Sequence, residues 1–169
     1  MHRGIGLMYL RQGFLDKTLQ HAQEAGELYR QVGNRAGWAK ALNESGFLHA
    51  QLGDYRRALV CCEQAMTLFQ ELGDPHGEAA TAHSIGYALR GLGDHQQAIV
   101  RYRQALDLFE KLEDRHATAD TLVHLGDTYL PAGDPQAARR SWQRALTMLT
   151  ELGHPEADQV RTKLETLQS

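Results

Sequence analysis

The chain has only two cysteines in 169 residues, and they are neighbours, Cys61 and Cys62. An adjacent pair cannot form an ordinary disulfide with each other without strain, so reduced thiols in a cytoplasmic protein are expected. No apolar run approaches the roughly 18 residues that a spanning helix needs, and the N-terminus lacks the basic-then-apolar order of a signal peptide. No membrane contact is therefore expected. There is no large excess of either charge: 18 basic and 21 acidic residues leave a net charge of −3, which gives no sign of a surface for coating nucleic acid. There is no glycine-rich phosphate loop, and no serine or cysteine stands beside a histidine in a nucleophile motif. The expectation is a protein that is not an enzyme and needs no cofactor.

What the sequence does have is a period of 40 residues. Gly6, Gly46, Gly86 and Gly126 fall in one column, and Ala25, Ala65, Ala105 and Ala145 in another. Such a period indicates a stacked array of one supersecondary unit. Within a period, Trp38, Ala41, Leu42, Phe47 and Leu48 recur at helical spacing, as do Ala58, Leu59, Cys62, Ala65, Met66, Phe69 and Leu72. Each repeat therefore reads as a helical hairpin. The runs Leu52-Gly53-Asp54, Leu72-Gly73-Asp74, Leu92-Gly93-Asp94 and Ala132-Gly133-Asp134 place a glycine where a helix ends left-handed, then an aspartate to cap the next. Pro75, Pro135 and Pro155 follow at the first helical position. Helix pairs are expected at 35–52 with 55–72, 75–92 with 95–112, and 115–132 with 135–152.

The small columns mark close approach between antiparallel helices: Gly46, Gly86 and Gly126 on the first helix, then Ala58, Ala98, Ala138, Ala65, Ala105 and Ala145 on the second. Phe69, Phe109 and Leu149 fill the space between hairpins. Cys62 shares a column with Tyr102 and Trp142 and reads as core. These residues resemble the tetratricopeptide repeat, whose pattern is matched at Leu122, Leu125-Gly126, Tyr129, Ala138, Trp142 and Ala145, and again at Ile85-Gly86, Ala98, Tyr102 and Ala105. The resemblance implies an all-α, right-handed α-solenoid of antiparallel helix pairs: a partial leading repeat over 1–32, repeats over 33–72, 73–112 and 113–152, and a capping helix over 153–169. Long repeats punctuated by Leu-Gly-Asp are similar to those in the C-terminal regions of actinobacterial antibiotic-regulator-type transcriptional regulators and signalling ATPases. That similarity implies a protein-binding module in bacterial signalling or transcriptional control.

The resemblance also implies that the first helix of each pair lines a concave groove. One helical face projected through the repeats gives Arg3, Leu7 and Arg11, then Lys40, Asn43, Phe47 and Gln51, then His83, Tyr87 and Arg90, then Asp120, Val123 and Asp127. An extended or helical peptide is the expected ligand, its backbone held by Asn43 and its apolar side chains on Phe47 and Tyr87. A small ligand or signalling peptide is a rival occupant. The N-terminal hairpin is apolar, with Ile5, Leu7, Met8, Leu10 and Phe14, and a preceding repeat or a second copy, as in a homodimer through residues 1–30, is expected to cover it. The nine histidines show no i, i+4 pair. His83 and His124 alone come near each other across neighbouring repeats, with no third ligand expected beside them, so no metal site is expected. Arg57, Arg101, Arg103, Arg139, Arg140 and Arg144 could form a convex basic stripe; Arg139 is expected to be exposed at the free edge of the last repeat, and no direct nucleic-acid contact is expected.

Overall fold

The computed structural model describes residues 2–167, with side chains from Gly13 onward. Among the described residues there are eight helices and no strand: α1 His2–Gln31, α2 Arg35–Gln51, α3 Tyr55–Leu72, α4 Pro75–Gly91, α5 His95–Lys111, α6 Arg115–Tyr129, α7 Pro135–Glu151 and α8 Ala157–Thr166. Six of the starts share one mechanism. Asn34, Asp54, Asp74, Asp94, Asp114 and Asp134 each accept a hydrogen bond from the backbone N–H three residues on, at 2.8 to 3.2 Å. Each cap is worth about 1 kcal/mol. The turns before them are left-handed at Gly33, Gly53, Gly73, Gly93 and Gly133, and at Glu113, which takes the same conformation at φ 56° without being glycine; Gly153 does so before His154.

Helices within a pair approach as closely as the small columns demand. A Cβ added at Gly46 would lie 2.4 Å from Cys62 Sγ, one at Gly86 3.0 Å from the Tyr102 ring, and one at Gly126 2.4 Å from Trp142 Nε1. Ala58, Ala98, Ala138, Ala65, Ala105 and Ala145 are all fully buried, and Phe69, Phe109 and Leu149 sit in the core with them. Cys62 is buried and its thiol is pushed up to about 12, chiefly by burial, so it is core filler.

The structure corrects the reading in three places. The N-terminal segment is no hairpin: α1 runs unbroken through Gly13, which is helical and outside the left-handed set. The column that holds a capping aspartate in later repeats holds Phe14 here, so nothing caps a new helix start. Helix α6 stops at Tyr129, three residues early, because Pro131 has no N–H to donate back into the helix. Helix α8 begins at Ala157, beyond Pro155, since His154 replaces the capping aspartate and Glu156 makes no side-chain cap.

Successive first helices pack on one another, α2 on α4 and α4 on α6, whereas no comparable contact joins α3 to α5 or α5 to α7 among the described residues. The first helices therefore form the inside of the curve. No described helix is long and apolar enough to cross a membrane.

Candidate binding groove

The groove floor is built from α2, α4 and α6. Phe47 on α2 and Tyr87 on α4 meet with ring centroids 5.4 Å apart, and Tyr87 in turn meets His124 of α6 edge-on at 5.7 Å. Arg90, one turn beyond Tyr87, lies over the Tyr87 ring at 5.1 Å and donates to His124 Nδ1 at 3.3 Å. This continuous row crosses all three repeats. Asn43 is half-buried behind it, with the Cys62 thiol 3.9 Å from its Oδ1, and Lys40 is exposed.

Below the row lies a polar cluster. His83 is 9% exposed; its ring meets His124 at 5.0 Å and Tyr102 at 5.2 Å, and Tyr102 stacks parallel to His124 at 5.9 Å. Asp120 spans both histidines, with its oxygens 3.6 Å from His83 Nε2 and 3.7 Å from His124 Nε2. Burial, reinforced by neighbouring positive groups, pushes His83 and His124 down to about 3, so both are neutral imidazoles at neutral pH. Burial pushes the Asp120 carboxyl up to about 6. The Tyr102 hydroxyl is fully buried and has no hydrogen-bond partner.

Of the projected groove residues, Phe47, His83, Tyr87, Arg90 and Asp120 converge. Val123 does not: it is core, and His124 beside it reaches the groove instead. The sequence reading also missed the third member of the histidine pair. Asp120 is i, i+4 to His124 on one helix face, a signal legible in the sequence had carboxylates been counted with histidines. Asp127 is engaged within the array: it accepts from Trp142 Nε1 at 3.0 Å and from Lys163, and lies 3.8 Å from Arg90 of the groove row. Phe14 is 70% exposed on α1, while Ile5, Leu7, Met8 and Leu10, like Arg3 and Arg11, lie outside the residues whose side chains are described.

The basic stripe is largely engaged within the array. Arg57 pairs with Asp54, Arg103 donates to the Tyr129 hydroxyl at 2.8 Å, and Arg144 pairs with Glu110. Arg139 is half-buried where full exposure was expected, because Leu167 at the end of α8 comes down beside it around a shared hollow.

These features define a helical-repeat scaffold with a lined concave face. The tetratricopeptide repeat model matches residues 37–111 and 79–151, and the chain belongs to that family, which is generally a non-catalytic scaffold for protein interaction. No curated protein matches it by sequence. Among solved structures it is similar to BtubC (BKLC) from P. vanneervenii, with 24% identity over 89% of this chain and 63% of that one and a TM-score of 0.72. It is also similar to a Rap protein complexed with Competence and Sporulation Factor, with 17% identity over 96% of this chain and 46% of that one and a TM-score of 0.82. A third is a putative kinesin light chain repeat protein from Podosopora anserina, with 17% identity, coverage of 95% and 84%, and a TM-score of 0.66. At these identities the likeness shows the fold, and the chain spans less than two thirds of the length of the first two.

Proposed function

We propose that the concave groove binds an extended or helical segment of a partner protein or peptide, and that the chain serves as an interaction module in bacterial signalling or transcriptional control. One observation carries this reading: the row Phe47, Tyr87, His124 and Arg90 runs without a break across three repeats and offers apolar faces flanked by donors and a carboxylate. Such a strip suits alternating apolar and polar side chains of a docked segment. A fold neighbour was solved in complex with Competence and Sporulation Factor, which supports a signalling ligand of this kind. The similarity of the long, Leu-Gly-Asp-punctuated repeats to those of antibiotic-regulator-type regulators supports the regulatory setting. The engaged arginines of the second helices support a groove rather than a nucleic-acid surface.

The test is capture from source-cell lysate with the parent chain and with Phe47→Ala/Tyr87→Ala. Both side chains are partly buried, so the double variant is used only once circular dichroism shows its helices intact. A partner held by the parent and lost by the variant supports the groove; a partner held equally by both overturns it.

A second reading rests on α1. Phe14, Leu28 and Val32 are 70%, 62% and 76% exposed, which favours a further apolar surface covering that helix, such as a second copy. Light scattering over a dilution series checks it, because self-association through α1 must lower the mass on dilution and Leu28→Glu/Val32→Glu must abolish the change.

A further inference from the structure

His83 on α4 and Asp120 and His124 on α6 each offer one ligand atom, and the three atoms lie within 4.8 Å of one another. Their hydrogen bonds determine which atoms carry lone pairs. Thr121 Oγ1 spends its hydrogen on the carbonyl of Ala117 at 2.7 Å, so it can only accept from His83 Nδ1, 3.1 Å away. That fixes the His83 proton on Nδ1 and leaves the Nε2 lone pair aimed at an Asp120 oxygen 3.6 Å away. Two acceptors thus face each other across that gap. Beside them the buried Tyr102 hydroxyl, whose ring stacks on His124, also has no partner.

We propose that His83 Nε2, an Asp120 carboxylate oxygen and His124 Nε2 form a three-ligand site for a divalent transition-metal ion of the zinc class, with a fourth position open toward the groove. Zinc takes histidine nitrogen and carboxylate oxygen at roughly 2.0–2.2 Å, which sets tetrahedral ligand atoms about 3.4 Å apart. His83 Nε2 lies 3.6 Å from Asp120 Oδ2 and His124 Nε2 lies 3.7 Å from Asp120 Oδ1, each within a few tenths of that, and rotation of the half-exposed carboxylate can bring one oxygen to both nitrogens. Two imidazoles favour zinc, nickel or cobalt over magnesium or calcium, which prefer all-oxygen shells. Thr121 is the outer partner that orients His83, as ligating histidines require. In the empty site Arg90 donates to His124 Nδ1, which leaves the His124 proton on Nε2. Metal binding takes that nitrogen, the proton moves to Nδ1, and Arg90 turns to Asp127 Oδ2, now 3.8 Å away. The site is complete within this chain and does not depend on groove binding by a peptide.

The experiment uses the full chain, stripped with chelator and titrated with zinc chloride by calorimetry, then with cobalt chloride as a visible-absorption probe. One ion per chain and the intense bands of four-coordinate cobalt are expected. Asp120→Asn, whose half-exposed side chain makes misfolding improbable and whose fold is checked by circular dichroism, should lose more affinity than the roughly 10- to 100-fold of an outer-shell partner. His116→Gln, at an exposed histidine that is no member of the cluster, should change nothing. Arg90→Gln replaces the competing guanidinium by a shorter, neutral side chain and should bind more tightly. No heat with the parent chain, or equal affinity in the parent and Asp120→Asn, overturns the site. Arg90→Gln binding no tighter than the parent overturns the proton exchange and with it His124 as a ligand.

Discussion

Lys163 on α8 holds both carboxylate oxygens of Asp127 on α6, at 2.5 and 2.7 Å. The same carboxylate accepts from the indole N–H of buried Trp142 at 3.0 Å, so one side chain ties the last repeat to the helix that covers it. Replacing Asp127 by alanine strips the charge-assisted bond and leaves the indole with only the Val123 carbonyl at 3.3 Å. The expected cost is about 1–3 kcal/mol, read as a fall in the urea midpoint. Lys163→Met should cost less than about 1 kcal/mol, because its ammonium is partly solvated and its stem still packs on Trp142. Equal costs would show that the ion pair, and not the indole bond, carries the contact.

The glycine column predicts a graded series. Alanine in mid-helix is worth about 1 kcal/mol over glycine, so a substitution can gain only if the new methyl finds room. At Gly126 a Cβ meets Trp142 Nε1 at 2.4 Å, and the indole is pinned by its hydrogen bonds; Gly126→Ala should destabilise by about 1–3 kcal/mol. At Gly86 the nearest approach is 3.0 Å to a ring face, so the strain and the helix gain nearly offset each other. Gly86→Ala should therefore lie within about 1 kcal/mol of the parent in thermal denaturation. A larger loss at Gly86 than at Gly126 would contradict the packing described.

Glu113 stands where other turns have glycine, at φ 56°. A left-handed residue with a Cβ costs roughly 1–2 kcal/mol. Glycine relieves that cost but gives more freedom to the unfolded chain, so Glu113→Gly should stabilise by about 0.5–1 kcal/mol net. Its carboxylate is exposed, and no lost contact offsets the gain. The change should appear as a rise in midpoint with the slope of the urea transition unchanged.

The repeats were legible because capping is local. An aspartate after a glycine satisfies an N–H group three residues away whatever the rest of the chain does; four starts have that pair, and Asn34 after Gly33 and Asp114 after Glu113 cap in the same way. The close approach at Gly46 and Gly126 was equally legible, since only the partner helix of the same hairpin decides it. What lies between repeats was not. Whether His83 meets Asp120 and His124 depends on the stagger of α4 against α6, which no single repeat encodes. Nor does one repeat show that Asp127 is engaged by Trp142 and Lys163, 15 and 36 residues away on α7 and α8. The unbroken α1 was readable from Phe14 in the aspartate column, but the glycine beside it pointed the other way.

The polar cluster predicts how stability responds to acid. His83 and His124 are pushed down to about 3 from an ordinary 6.5, first by burial; His124 and Arg90 then add to this at His83, and Arg90 and Lys163 at His124. In the unfolded chain both take up a proton below about 6.5, and in the folded chain neither does until about 3. Their stabilising contribution is therefore full above pH 6.5 and lost as pH falls toward 3. Asp120 opposes them: pushed up to about 6, it holds its proton in the folded chain between pH 6 and its ordinary 3.8, which favours folding as the pH falls through that window. Two histidines against one carboxylate leave a net uptake of about one proton on unfolding near pH 5. The urea midpoint should thus fall between pH 7 and 5. His124→Gln should flatten that fall by removing one of the two groups, and Asp120→Asn should steepen it by removing the offset. A midpoint independent of pH across this range, or a steeper fall in His124→Gln than in the parent, would mean that the two imidazoles are not held neutral by the fold.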